Sequence, residues 1–138
     1  MIIDATDMII GRLGTYVAKN ALLGQTIHLV NCEKAVITGH PQKVFASFKQ
    51  ARERGAPLVG PYFPRMPHML VKRTLRGMLP YKKPRGREAL SRIKCYIGIP
   101  NSMKNEKIET LNQFSVEKTN AKFMYIREIS KQLGAKFD

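Results

Sequence analysis

The sequence predicts an α/β domain built on a mostly parallel sheet with helices on both faces. Short apolar runs suited to strands alternate with stretches in which apolar residues recur every three or four positions. The strand-like runs lack a clean polar alternation, as strands buried on both faces do. Asn-Gly hairpin signals are missing, and several strands are separated by helices, which favours a mostly parallel sheet. At 138 residues and 43% hydrophobic content, residues 1–138 suit one domain that can bury a core without staples.

Ile2-Ile3 opens the chain as a strand, and Asp4, Thr6 and Asp7 offer oxygens to cap the helix that follows. Ile10, Leu13, Val17 and Ala21 form that helix's apolar stripe, with Gly24 as its stop. Strands are expected at Thr26 to Val30 and at Ala35 to Thr38, the second closed by Gly39. Pro41 fits the first turn of a second helix, with Val44, Phe45 and Phe48 as its buried stripe. Residues 55–67 hold Gly55, Pro57, Gly60, Pro61, Pro64 and Pro67, which predicts an arm braced by proline.

Pro67 can start a third helix, placing Val71, Leu75 and Met78 on one side and Lys72, Arg73 and Arg76 on another. Pro80 closes it, and a basic connector runs to residue 88 around Lys82, Lys83, Arg85 and Arg87. Ala89, Leu90 and Ile93 mark a short helix, and Lys94 to Ile99 a strand ended by Pro100. Residues 101–120 carry weak signals; a final helix is expected from Ala121 to Leu133, stopped by Gly134.

Charge separates this chain from an ordinary soluble protein. Its formal net charge is +14, and twelve of its 24 Lys and Arg residues lie between Arg52 and Lys94, opposed only by Glu53 and Glu88. The same stretch holds six of the eight prolines. Dense cationic charge on a braced backbone suits an extended polyanion. Arg guanidinium groups grip phosphates and stack on bases, and Tyr62, Phe63 and Tyr81 lie among them. Tyr62 and Phe63 have two readings, as base-stacking platforms or as side chains closing the arm onto the core.

Other chemistries find little support. Gly11-Arg12-Leu13-Gly14 follows the first strand, but it lacks the third glycine and well-placed acid of a dinucleotide fingerprint, and no Walker-type Gly-Lys-Ser/Thr occurs. Close packing of the helix on the sheet explains both glycines, with Arg12 free to reach a phosphate. His28, His40 and His68 are widely spaced, and Cys32 and Cys95 have no partner at metal-ligand spacing, so neither a metal nor a cofactor is expected. The cysteines are expected to pack as small hydrophobes in a reducing compartment. No run approaches the ~20 apolar residues of a membrane span, and Met1-Ile2-Ile3-Asp4 does not read as a signal peptide, which predicts an intracellular protein without a membrane partner.

Arg73-Thr74-Leu75-Arg76-Gly77-Met78-Leu79-Pro80, followed by Arg87-Glu88-Ala89-Leu90 and Ile93 to Gly98, resembles the signature region of the large-subunit ribosomal protein L-thirteen family. Gly11 to Gly14, Val30 to Lys34, Ile37-Thr38-Gly39 and the terminal Leu133-Gly134 extend the resemblance over nearly the whole chain. Phe63 to His68 looks like the archaeal and eukaryotic branch, and the absence of a long C-terminal extension favours an archaeal source. The resemblance implies a three-layer α/β/α domain with a four-stranded parallel sheet. It also implies rRNA binding in the cytoplasmic large subunit, a role in assembly, neighbouring ribosomal proteins as partners, no homo-oligomer and no catalysis. Arg73, Arg76, Lys82, Lys83, Arg85 and Arg87 are the leading contact residues, with Arg12, Arg65, His68, Lys72 and Arg92 as further candidates. The rival readings are a nucleotide-using enzyme with phosphate at Gly11 to Gly14, and a free nucleic-acid-binding regulator.

Overall fold

The computed structural model describes residues 1–137. In chain order its main elements are β1 (Ile2–Asp4), α1 (Ile10–Leu22), β2 (Ile27–Val30), β3 (Val36–Thr38), α2 (Pro41–Glu53), α3 (Pro67–Gly77), α4 (Pro84–Arg92), β4 (Ile93–Cys95), β5 (Phe123–Tyr125) and α5 (Ile126–Gln132). Strands β1, β2 and β4 pair in parallel in that order, with Ile3 opposite Leu29 and Leu29 opposite Cys95. Ile27, Leu29 and Val30 of β2 are all fully buried, while His28 is half-buried and shares the face of Val30.

Among the described residues the parallel sheet has three strands and not the expected four. β3 pairs antiparallel with β5, Ile37 facing Met124, in a separate two-stranded ribbon. The chain turns after β2 at Asn31, whose left-handed backbone (φ 56°) leads into a short 3₁₀ turn at Cys32–Lys34. β3 follows that turn and pairs outside the three-stranded sheet. A parallel bridge, Ile9 to Val36, links β3 back to the α1 approach. The predicted last helix is shorter than expected, because Phe123–Tyr125 is extended and the helix begins at Ile126.

α1 buries Ile10, Leu13, Val17 and Ala21, and ends as expected at Gly24, where φ is +101°. The Gly24 N–H bonds the Ala21 carbonyl and the Gln25 N–H bonds the Asn20 carbonyl, satisfying two end carbonyls in a Schellman arrangement. Asp4 and Asp7 do not cap α1, which has no side-chain cap. Asp4 instead accepts from the Thr6 hydroxyl at 2.6 Å and from Asn31 Nδ2 at 3.1 Å, while Asp7 accepts from the Tyr125 hydroxyl at 2.9 Å. Both carboxylates therefore tie loops together beside the strand ends.

The paired glycines also behave differently from expectation. A Cβ at Gly14 would lie 2.8 Å from Met78 Sδ and 3.1 Å from Leu75 Cδ2, so Gly14 admits α3, a helix and not the sheet. Gly11 is exposed with open space beside it. Met78 reaches that contact while remaining 37% exposed, and Val71 and Leu75 are fully buried. α2 is more peripheral than predicted: Val44, Phe45 and Phe48 are half-buried against the core and none of its residues is fully buried.

The predicted basic connector is shorter than residues 80–88, because Pro84 starts α4 and leaves only Pro80 to Lys83 as a turn. Gly86 is required here, since a Cβ would sit 2.0 Å from the Pro80 carbonyl oxygen. Ile93 is the first residue of β4 and not the end of the helix, and regular pairing stops at Cys95. Cys32 and Cys95 are free thiols, Cys32 buried with its Sγ donating to the Leu29 carbonyl at 3.5 Å. A hydrogen bond with Cys95 and burial push the Cys32 thiol pKa well above its ordinary value.

Candidate nucleic-acid interface

The arm is fastened at its base by Phe63. Arg52, in the last turn of α2, donates from Nη1 to the Phe63 carbonyl, and the Phe48 and Phe63 rings meet edge-on at 6.2 Å. Phe63 thus closes the arm onto the core, whereas Tyr62 stays 70% exposed. The reading of an aromatic that closes the arm onto the core therefore fits Phe63 and not Tyr62. Arg52 entered the sequence reading only as charge; its anchoring role depends on a residue eleven positions away and leaves no periodic signal.

α3 places Lys72, Arg73 and Arg76 beside this arm. The Arg73 guanidinium lies 4.8 Å from the Phe63 ring centroid, and that of Arg76 lies 4.8 Å from the Tyr81 centroid. Such cation–π contacts restrict long side chains that would otherwise sweep through solvent. Lys72, Arg73 and Arg76 border one cleft of about 430 Å³ with Tyr62, Phe63, Pro64, Met69 and Leu90.

The charge continues from α3 into the following turn and helix. Lys82, Lys83, Arg85 and Arg87 are all exposed, on the Pro80 turn and the first half of α4. Arg87 Nη2 donates to the Lys82 carbonyl at 3.1 Å, bracing the turn against the helix. Glu88 is the only acid on α4, and it lies 3.9 Å from Arg92.

The remaining sequence candidates separate from this cluster. Arg92 Nη1 donates to the Ala21 carbonyl at 3.0 Å, which ties α4 to the end of α1. Arg65 is exposed and lies beside Gly134 and Lys136, near the C-terminal end of α5. Arg12 projects from the exposed side of α1. His68 is half-buried in the first turn of α3, where its Nδ1 is enclosed without a partner and burial lowers its pKa.

The rival chemistries gain nothing from the geometry. Glu33, the only acid near a dinucleotide position, accepts from the Gly98 N–H at 3.0 Å. Among the described residues, no three His, Cys, Asp or Glu side chains converge to hold a metal ion. No helix among them is long and apolar enough to cross a membrane.

Comparison with known proteins agrees with the signature in α3. The family model described as Ribosomal protein L13 matches residues 1–102. The large ribosomal subunit protein uL13 of Methanosarcina barkeri is 43% identical over 138 residues, covering 99% of both chains. The protein of the same name from Methanocaldococcus jannaschii is 43% identical over 99% of this chain and 98% of its own. That of Archaeoglobus fulgidus is 42% identical over 96% of this chain and 86% of its own. The chain belongs to the ribosomal protein L13 family, a family of structural proteins and not of enzymes.

Proposed function

We propose that this chain is a constituent of the cytoplasmic large ribosomal subunit that binds large-subunit rRNA through α3, the Pro80 turn and the first half of α4, and that it supports subunit assembly by doing so. The observation that carries the reading is the continuity of charge from Lys72 to Arg87, with Arg73 and Arg76 each held on an aromatic ring. A solvated basic helix face would leave its guanidinium groups unconstrained. Here each guanidinium rests on a ring, and a side chain already restrained loses less freedom on binding.

Residues 1–138 act as one domain in this reading, the sheet and its helices forming a platform for the basic face. Arg73, Arg76, Lys82, Lys83, Arg85 and Arg87 contact phosphate, with Arg12, Arg65, His68 and Lys72 as outlying contacts. Arg92 contributes mainly by holding α4. The partners are rRNA and neighbouring large-subunit proteins; the chain needs no membrane, cofactor or second copy of itself. Release of condensed counterions drives association, with a log–log salt slope of about −0.7 to −0.9 per phosphate engaged.

Reversing charge with Arg73→Glu and Arg76→Glu tests this. The double variant should fold, because neither side chain is part of the buried core, yet fail to enter large subunits in a reconstitution. Entry equal to the parent's, from a variant with an unchanged melting curve, rules the interface out.

A further inference from the structure

The cleft between the arm and α3 has a composition that a phosphate site does not need. Its lining is mainly apolar, with Phe63, Met69 and Leu90 beside the exposed ring of Tyr62. Met69 is 48% exposed and Tyr62 70% exposed, on a surface where RNA binding is already proposed. Phosphate oxygens gain nothing from a thioether or a leucine, and water leaves such surface readily. At about 430 Å³ the cleft falls within the ~300–1,000 Å³ typical of small-molecule sites. Its charged lining is Lys72, Arg73 and Arg76, without an acid among the described residues.

An apolar hollow bordered by three cations fits a planar aromatic group attached to an anionic backbone. We infer that the cleft receives one unstacked nucleobase of the bound RNA, with the adjoining phosphates on Lys72, Arg73 and Arg76. Arg73 matters most to the geometry. One face of its guanidinium lies against Phe63, and a base stacked on the other face would complete a layered Phe63–Arg73–base arrangement. Tyr62 closes the hollow from the arm side. A base in a continuous A-form helix is stacked within it, so the site requires a bulge, loop or strand end. The inference rests on the RNA-binding reading, and it adds the kind of RNA element recognised.

A pair of short RNAs separates the two ideas. One is a perfect duplex; the other is the same duplex with a single bulged 2-aminopurine, whose fluorescence reports stacking. With the full chain, the bulged RNA should bind about 5- to 100-fold more tightly, the range that base–aromatic stacking supplies. Its fluorescence should be quenched on binding. Tyr62→Ala and Met69→Gln, both at exposed positions, should remove that preference and leave the salt slope unchanged. Lys72→Ala should do the reverse, reducing the slope by about one phosphate equivalent and keeping the preference. Equal affinity for both RNAs, with a normal salt slope, overturns the base site but leaves the basic face intact; this is also the result expected if the cleft seats a protein side chain. Loss of binding to both RNAs and to purified large-subunit rRNA overturns the RNA-binding reading itself.

Discussion

The guanidinium of Arg92 donates to the carbonyl of Ala21 at 3.0 Å, joining residues 71 positions apart. A cation at the C-terminal end of α1 also complements the partial negative charge of that helix end. Gly24 N–H bonds the same carbonyl at 3.1 Å, so removing the Arg side chain would not orphan it. Arg92→Ala should therefore cost about 0.5–1.5 kcal/mol of stability, the loss of one hydrogen bond whose charge is partly screened by solvent. Urea unfolding measures this. Binding to large-subunit rRNA should change less than in Arg73→Ala, and an equal loss with no change in stability would make Arg92 a contact residue.

Gly77 should respond to substitution in opposite directions in two assays. It lies in α3 with open space around it and without a positive φ, so the fold does not require a glycine there. Glycine in a helix is less stable than alanine by about 0.5–1 kcal/mol. Gly77→Ala should raise the melting temperature of the isolated chain. It should also weaken binding to rRNA, because a methyl group next to Arg76 would hold an approaching backbone away. A more stable variant that binds as well as the parent would show that Gly77 has no interface role.

Gly86 presents the opposite case, in which the fold itself forbids a side chain. Its buried position presses α4 against the Pro80 turn, 2.0 Å between a Cβ and a backbone oxygen that cannot rotate away. Gly86→Ala must open that turn, at a cost of about 1–3 kcal/mol or more by analogy with overpacked cores. Because Lys82 and Lys83 ride on the turn, rRNA affinity should fall along with stability. Thermal melting and rRNA titration of the same preparation check both effects.

These residues also show what a single sequence can convey. α1 was legible because its apolar stripe, its Gly24 stop and its length are all local signals, and every stripe residue is buried. The start of α4 was readable in principle from Pro84, but the surrounding charge made residues 80–88 resemble a connector. β5 was hidden for a deeper reason. Phe123, Ile126, Ile129 and Leu133 keep a helical spacing, yet Thr38, opposite Phe123, draws the first of them into a strand from 85 positions away. Pairing partners so distant leave no local trace, and the antiparallel ribbon of β3 and β5 has no signal in either strand alone. The basic stretch was visible as composition. That Arg73 rests on Phe63, and Arg76 on Tyr81, is tertiary and could not be read from spacing.

Stability should fall on mild acidification, and two histidines set the sign. His28 is half-buried on β2, with Nδ1 3.1 Å from the Tyr96 hydroxyl. Burial lowers its pKa first, helped by the N-terminal ammonium and Lys94 and opposed by Glu106. Burial alone lowers that of His68, whose enclosed Nδ1 has no partner. In the unfolded chain both take up protons near the ordinary value of 6.5, but in the fold they do so only at lower pH. Between those values the unfolded state binds more protons, so unfolding becomes easier as pH drops below 6.5 and the effect saturates beneath the folded values. Urea midpoints measured from about pH 8 down to about pH 5.5 should decline for the parent chain. The decline should shrink in His28→Gln/His68→Gln, which removes both titrating rings. A double variant that follows the parent's slope would show that neither histidine sets the acid sensitivity.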